Sequence, residues 1–96
     1  MPPVDSSGKD VTTAATAERL VSTSIRVNSV TIKAKGTNTG NMFIGESDVD
    51  NTKAPLPAGD AIVLNSGTPE MTFDLKDIYV DASVNGEGVW FWYVQL

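Results

Sequence analysis

Between Ser29 and Lys35 the side chains alternate in character, with Val30, Ile32 and Ala34 apolar and Thr31, Lys33 and Lys35 polar. A period of two belongs to a strand with one face in the core and one in water. Gly36-Thr37-Asn38-Thr39-Gly40-Asn41 follows, a run that tolerates positive φ, and Met42-Phe43-Ile44-Gly45 then reads as a return strand. The two are expected to form a hairpin on which later segments stack.

The same reading carried along the chain predicts strands at Leu20–Ile25, at the apolar run Ala61–Asn65, at Met71–Leu75 where apolar residues alternate with Thr72 and Asp74, and at Ile78–Ala82. Asn85-Gly86-Glu87-Gly88 fits a tight hairpin that delivers the chain into Val89–Leu96. That last strand is apolar on both faces, Trp90, Trp92, Val94 and Leu96 on one and Val89, Phe91 and Tyr93 on the other. Such a strand is central in its sheet or is covered by another chain, and a chain of this length has little material for both faces.

Two stretches lack the pattern. Glu46–Gly59, with its Asp, Asn, Pro and Gly residues, predicts a long surface loop. Residues 1–18 are rich in Ser, Thr, Ala, Pro and Asp, with Val4 and Val11 as the sizeable apolar side chains, and are expected to be a flexible or partner-bound arm. Residues 19–96 then form a single domain. The fold class expected is all-β, a small antiparallel β-sandwich or jelly-roll-like barrel of about seven strands with an extended N-terminal arm.

Composition narrows the chemistry. The 96 residues contain neither histidine nor cysteine. That removes Ser-His-Asp and Cys-His nucleophilic machinery, imidazole and thiolate metal sites, and disulfide staples, leaving packing or burial against other subunits to supply stability. No nucleophile elbow, phosphate-binding loop or dinucleotide fingerprint occurs. Asp74 and Asp77 could serve a glycosidase only if geometry required it, and Asp48-Val49-Asp50-Asn51 lacks the glycine and glutamate of a calcium loop. An enzyme, a cofactor, a metal and a small-molecule substrate are therefore not expected.

A net charge of −5 argues against nucleic acid, whose binding is built from lysine and arginine. Met1–Asp5 has no positive n-region or apolar h-region, and no stretch approaches the roughly 20 apolar residues of a span, so a water-soluble protein with no membrane partner is expected. Charge is uneven. Arg19, Arg26, Lys33 and Lys35 cluster without an acid between them, whereas residues 46–87 carry nine acids against Lys53 and Lys76. Mostly this reads as solvated surface, with a basic edge of one copy meeting an acidic edge of another as the alternative. The interface candidates are Val4 and Val11 of the arm, the four basic residues, and Trp90, Trp92 and Tyr93. Aromatics on a terminal strand read first as core or subunit anchors and only second as a platform for sugars.

In order along the chain, Ala34–Gly45, Leu56-Pro57-Ala58-Gly59-Asp60, Asp77-Ile78-Tyr79-Val80-Asp81 and Asn85-Gly86-Glu87-Gly88-Val89 resemble small virion proteins of tailed bacteriophages, of the head decoration, head fibre or minor capsid type. The resemblance covers roughly residues 19 to 94, and Trp90-Phe91-Trp92-Tyr93 departs from the aliphatic final strand of that group. It implies a β module made in the bacterial host cytoplasm. The module would assemble on itself, often as a homotrimer, and bind the major capsid protein on the head surface of the virion. A tail or fibre adaptor, or a carbohydrate-binding adhesin module, are the rival expectations.

Overall fold

The computed structural model describes residues 4–68 and 70–94. The chain is all-β. In order it forms β1 (Val4–Asp10), β2 (Glu18–Arg19), β3 (Arg26–Val27), β4 (Ser29–Ala34), β5 (Met42–Gly45), β6 (Pro55–Leu56) and β7 (Ala61–Asn65). β8 (Phe73–Asp74), a 3₁₀ turn at Leu75–Asp77, β9 (Tyr79–Ala82) and β10 (Gly88–Val94) complete it. All pairings are antiparallel: one sheet runs β1-β10-β4-β7, a second β2-β9-β5-β6, and β3 and β8 form a two-stranded ribbon.

The period-two segments behave as their side chains dictate. Val30, Ile32 and Ala34 of β4 and Val89, Phe91 and Tyr93 of β10 point to the same side of the first sheet and are buried. Met42, Val80 and Ala82 of the second sheet meet them, and Val11, Leu20, Val27 and Leu75 close the same cluster. Phe91 and Tyr93 stack with ring centroids 6.0 Å apart.

Neighbours in sequence seldom pair. Among the described residues, β5 and β6 are the one consecutive pair that hydrogen-bonds. The hairpin expected over 29–45 does not form: β4 and β5 lie in different sheets, and residues 36–41 arch between them. Asn38, buried in the arch, donates from Nδ2 to the Gly88 carbonyl at 2.9 Å and accepts from the Gly88 N–H at Oδ1. Glu87 accepts from the Thr39 and Gly40 N–H groups at 2.5 and 2.8 Å. These bonds satisfy backbone that a hairpin would have paired, so the arch is as well provided for as a turn.

Residues 85–88 likewise connect the second sheet to the first and are not a hairpin turn. Their backbone pairs with the end of β1, Val11 donating to Glu87 and Gly86 to Val11. Gly86 adopts φ of 82°, open to glycine without strain.

The expected arm is also corrected. Residues 4–10 pair along their whole length with β10, Val4 opposite Val94 through Asp10 opposite Gly88. Val11 follows with no exposure, as a core residue and not a surface contact. The approach is close at Gly88, where a Cβ would run into the Lys9 carbonyl and Asp10. A polar segment can hold this place because an edge strand needs few apolar side chains when its partner supplies them. The expected strand over Leu20–Ile25 is loop throughout, between β2 and β3, and that over Met71–Leu75 is shortened to β8 before the 3₁₀ turn, which Asp74 caps by accepting from Lys76 N–H. Among the described residues ten strands stand where about seven were expected: β1 forms in the expected arm, β6 in the expected loop over 46–59, and the two-residue β2 and β3 flank the segment expected as one strand.

Candidate interaction face

The outward side of the first sheet is built around β10. Alternation sends Trp90, Trp92 and Val94 to that side, where they remain 47, 41 and 43% exposed although β10 lies between β1 and β4. Their neighbours are small or polar. Gly8 of β1 stands opposite Trp90 and Ser6 opposite Trp92; on β4, Lys33 and Thr31 take the same places. One strand further out, Val63 of β7 lies opposite Thr31 and is 61% exposed.

Gly8 is there for a steric reason. A Cβ at this position would stand 2.8 Å from Cζ3 and 2.9 Å from Cε3 of Trp90, so glycine lets the indole lie over β1. Lys35 places its ammonium 4.2 Å from the Trp90 ring centroid and pairs with Asp10 at 2.7 Å. The indole thus has both a glycine and a cation against it, its electron-rich face engaged. Beside Trp92 a shallow hollow of ≈ 260 Å³ is lined by Asn28, Ser29, Thr31, Tyr93 and Val94.

A larger open groove, ≈ 850 Å³, runs where β1 and β2 form neighbouring edges of the two sheets. Lys9 and Glu18 span it with an ion pair of 2.9 Å, and Glu18 also accepts from the Thr12 and Thr13 N–H groups. The Lys9 bond holds the Glu18 carboxyl below the usual range. Burial, followed by the Asp5 carboxylate that accepts from its hydroxyl at 3.2 Å, pushes the Tyr93 phenol up. One group is held charged and the other held protonated, so neither is poised to exchange a proton near neutrality.

The interface candidates disperse. Trp90 and Trp92 share the outward face with Lys33 and Lys35. Tyr93 faces the core, 8% exposed, because it lies on the opposite side of β10. Arg19, in the second sheet, stacks its guanidinium 5.0 Å from the Tyr79 ring centroid and donates to the Lys76 carbonyl of the 3₁₀ turn, while Arg26 sits opposite Asp74 in the ribbon. The four cations therefore do not form one basic edge. Val4 begins β1 opposite Val94; its side chain lies outside the described residues, as does Leu96.

Several acids expected to be solvated surface organise loops. Asp74 accepts from Ser24 Oγ, Ile25 N–H and Lys76 N–H, and the Ser24 bond first among these lowers its carboxyl. Asp50 closes a turn on Thr52. Among the described residues no group of His, Cys, Asp or Glu could hold a metal ion, and no helix is long and apolar enough to cross a membrane.

Four residues of the face were missed in the sequence: Ser6, Gly8, Thr31 and Val63. Thr31 and Val63 could have been found by carrying the alternation of β4 and β7 to its outward side. Ser6 and Gly8 could not, because nothing in their own segment announces a strand. Comparisons with family models, with curated proteins and with solved structures find no match to this chain.

Proposed function

We propose that this chain is a virion structural protein of a tailed bacteriophage, a capsid decoration module that binds the outer surface of the head as a homo-oligomer and stabilises it without catalysing a reaction. In this reading the two four-stranded sheets are the layers of a β-sandwich. The outward face of β10 is the contact with the shell. The observation that carries it is the pair Trp90 and Trp92, two residues apart on one face of a central strand yet almost half exposed, bordered by the small residues Ser6, Gly8 and Thr31. Exposed tryptophan in the middle of a strand face bordered by small residues is the composition of a protein contact whose centre is aromatic. The phage assignment itself rests on the ordered sequence fragments from Ala34 to Val89.

Counting the chain against the major capsid protein in purified particles tests this. The expected result is copies on the order of hundreds, as repetition over a symmetric shell requires, with Trp90→Ser/Trp92→Ser reducing occupancy at least about tenfold, as loss of central aromatic anchors does. Particles that lack the chain, or that carry the double variant at full occupancy, overturn the reading.

One observation favours a second reading. Ser6, Thr31 and Lys33 bring hydrogen-bonding groups from two neighbouring strands beside the indoles, which β10 by itself does not. Rings bordered by such groups suit the apolar face and hydroxyls of a sugar. Saturable quenching of tryptophan fluorescence by a glycan, lost in Trp92→Ser, would support it.

A further inference from the structure

Sheet edges expose unpaired N–H and C=O groups that recruit other strands unless something blunts them. Of the four edges of the two larger sheets, three are blunted. β1 carries Asp5, Lys9 and Asp10; β2 and β6 are two residues long, and β6 begins at Pro55, which has no N–H. β7 is not blunted. It is five residues long, Ala-Ile-Val-Leu-Asn, and after Asp60 no charged residue occurs until Glu70. On its core side Ile62 and Leu64 are only partly buried, and on its outer side Val63 stands 61% exposed.

The register shows which backbone groups are free. Ser66 N–H donates to the Asn28 carbonyl and Ala34 N–H to the Asp60 carbonyl, both at 2.9 Å, so the even-numbered residues turn their backbone towards β4. Alternation in an antiparallel ladder then turns the N–H and C=O groups of Ala61, Val63 and Asn65 away from the sheet.

We infer that a second copy of this chain covers this edge, β7 pairing antiparallel with β7 about a two-fold axis through Val63. The register is self-complementary. Ala61 faces Asn65 of the other copy, Val63 faces its counterpart and Asn65 faces Ala61, three hydrogen-bonded pairs of two bonds each. Asp60 falls opposite Ser66, so no like charges meet. Pairing with β1 of a second copy instead would set Asp5 and Lys9 beside Ile62 and Leu64, a poorer match of side chains. The two-fold pairing makes one sheet of eight strands, brings the two Val63 side chains into contact, and joins the two tryptophan faces into a continuous surface.

Five residues of edge pairing bury less than the roughly 1,200 Å² of a stable interface, so the dimer is weak in free solution and is reinforced where copies are held side by side. The inference gives the proposed homo-oligomer an interface, a closed pair and not a three-fold ring, and it stands whether or not the surface beneath is a capsid.

Sedimentation velocity of the full chain from micromolar to millimolar concentration tests it, with Val63→Lys and Val63→Cys as variants. Val63 is exposed in the monomer, so neither change disturbs the core. The parent chain is expected to shift from monomer to dimer across that range, and Val63→Lys, which sets two ammonium groups together at the axis, to remain monomeric. Facing Cα atoms in a hydrogen-bonded pair are about 5.5 Å apart, within disulfide reach. Val63→Cys should therefore cross-link to a dimer on mild oxidation while Ser6→Cys, on the β1 edge, does not. A parent chain monomeric at millimolar concentration, an oligomer unaffected by Val63→Lys, or equal cross-linking through Ser6→Cys overturns the inference.

Discussion

The two faces of β10 carry similar side chains and meet opposite fates. Val89, Phe91 and Tyr93 are 0 to 8% exposed, whereas Trp90, Trp92 and Val94 are 41 to 47% exposed. The difference is not in the residue types alone, since Val89 is fully buried and Val94 is 43% exposed. It lies in what stands opposite: the second sheet covers one face, and among the described residues no further sheet covers the other, where Lys35 lies over Trp90. Hydrophobicity in a strand thus states that a surface is to be covered, without saying by which molecule.

The sharpest way to break that comparison is to truncate one residue on each face. Phe91→Ala removes a fully buried ring and should cost about 3–5 kcal/mol, a large part of the roughly 5–15 kcal/mol that holds a domain of this size. Trp92→Ala should cost less than about 1 kcal/mol, because its ring is already half in water. Urea denaturation at constant m-value measures both. Equal losses would mean that the outward face also holds the fold together, and the contrast would collapse.

Next in size is the arch that lets β10 face two ways. Asn38→Ala leaves the buried N–H and C=O of Gly88 without their side-chain partner and should cost about 1–3 kcal/mol. Gly88→Ala should cost a similar amount, about 1–3 kcal/mol, by forcing β1 away from β10. The two sites touch, so the double variant is expected to fall short of the sum. Full additivity would show that they act separately.

Smaller effects come with pH. The carboxyls of Glu87, held down chiefly by the Thr39 N–H, of Asp74, by Ser24, and of Glu18, by Lys9, all lie below their ordinary values. A depressed carboxyl stabilises the fold above its unfolded value, and that contribution is lost as pH falls through the folded one. Melting temperature should thus decline below about pH 4.5, and Glu87→Gln should flatten the decline while lowering the plateau. Tyr93, raised by burial, works in the opposite sense: its contribution is complete below the ordinary phenol value and is lost as pH rises past about 10. Tyr93, on the core face of β10, therefore adds to the alkaline loss of stability. An alkaline transition unmoved by Tyr93→Phe would contradict this.

The smallest change expected is at the clamp on Trp90. Lys35→Ala removes a cation over the ring and a partly exposed ion pair, together worth about 1 kcal/mol or less. Its clearer readout is tryptophan emission, which should shift as the indole loses its fixed neighbour.

Much of the local structure was legible in the residues. β4, β7, β9 and β10 fall where alternation or an apolar run placed them, and the division of β10 into two faces follows from spacing. The pairing was not legible. Gly36–Asn41 and Asn85–Gly88 have the composition of hairpin turns, yet each crosses between sheets, since Asn38, Glu87 and Val11 supply the bonds that a hairpin partner would have supplied. The segment before Val11 looked unable to order because its own side chains bury little, and it is ordered by β10.

By itself, then, the sequence determined that this chain would be built from short strands, which side chains would share a face, and that no histidine or cysteine chemistry was available to it. Those are properties of neighbouring residues. Tertiary structure decided which strands pair, that the N-terminal segment is an edge strand with a glycine beneath Trp90, and that β7 is left as the unguarded edge. Each of these depends on contacts between residues far apart in the chain, whose pairing no local period encodes.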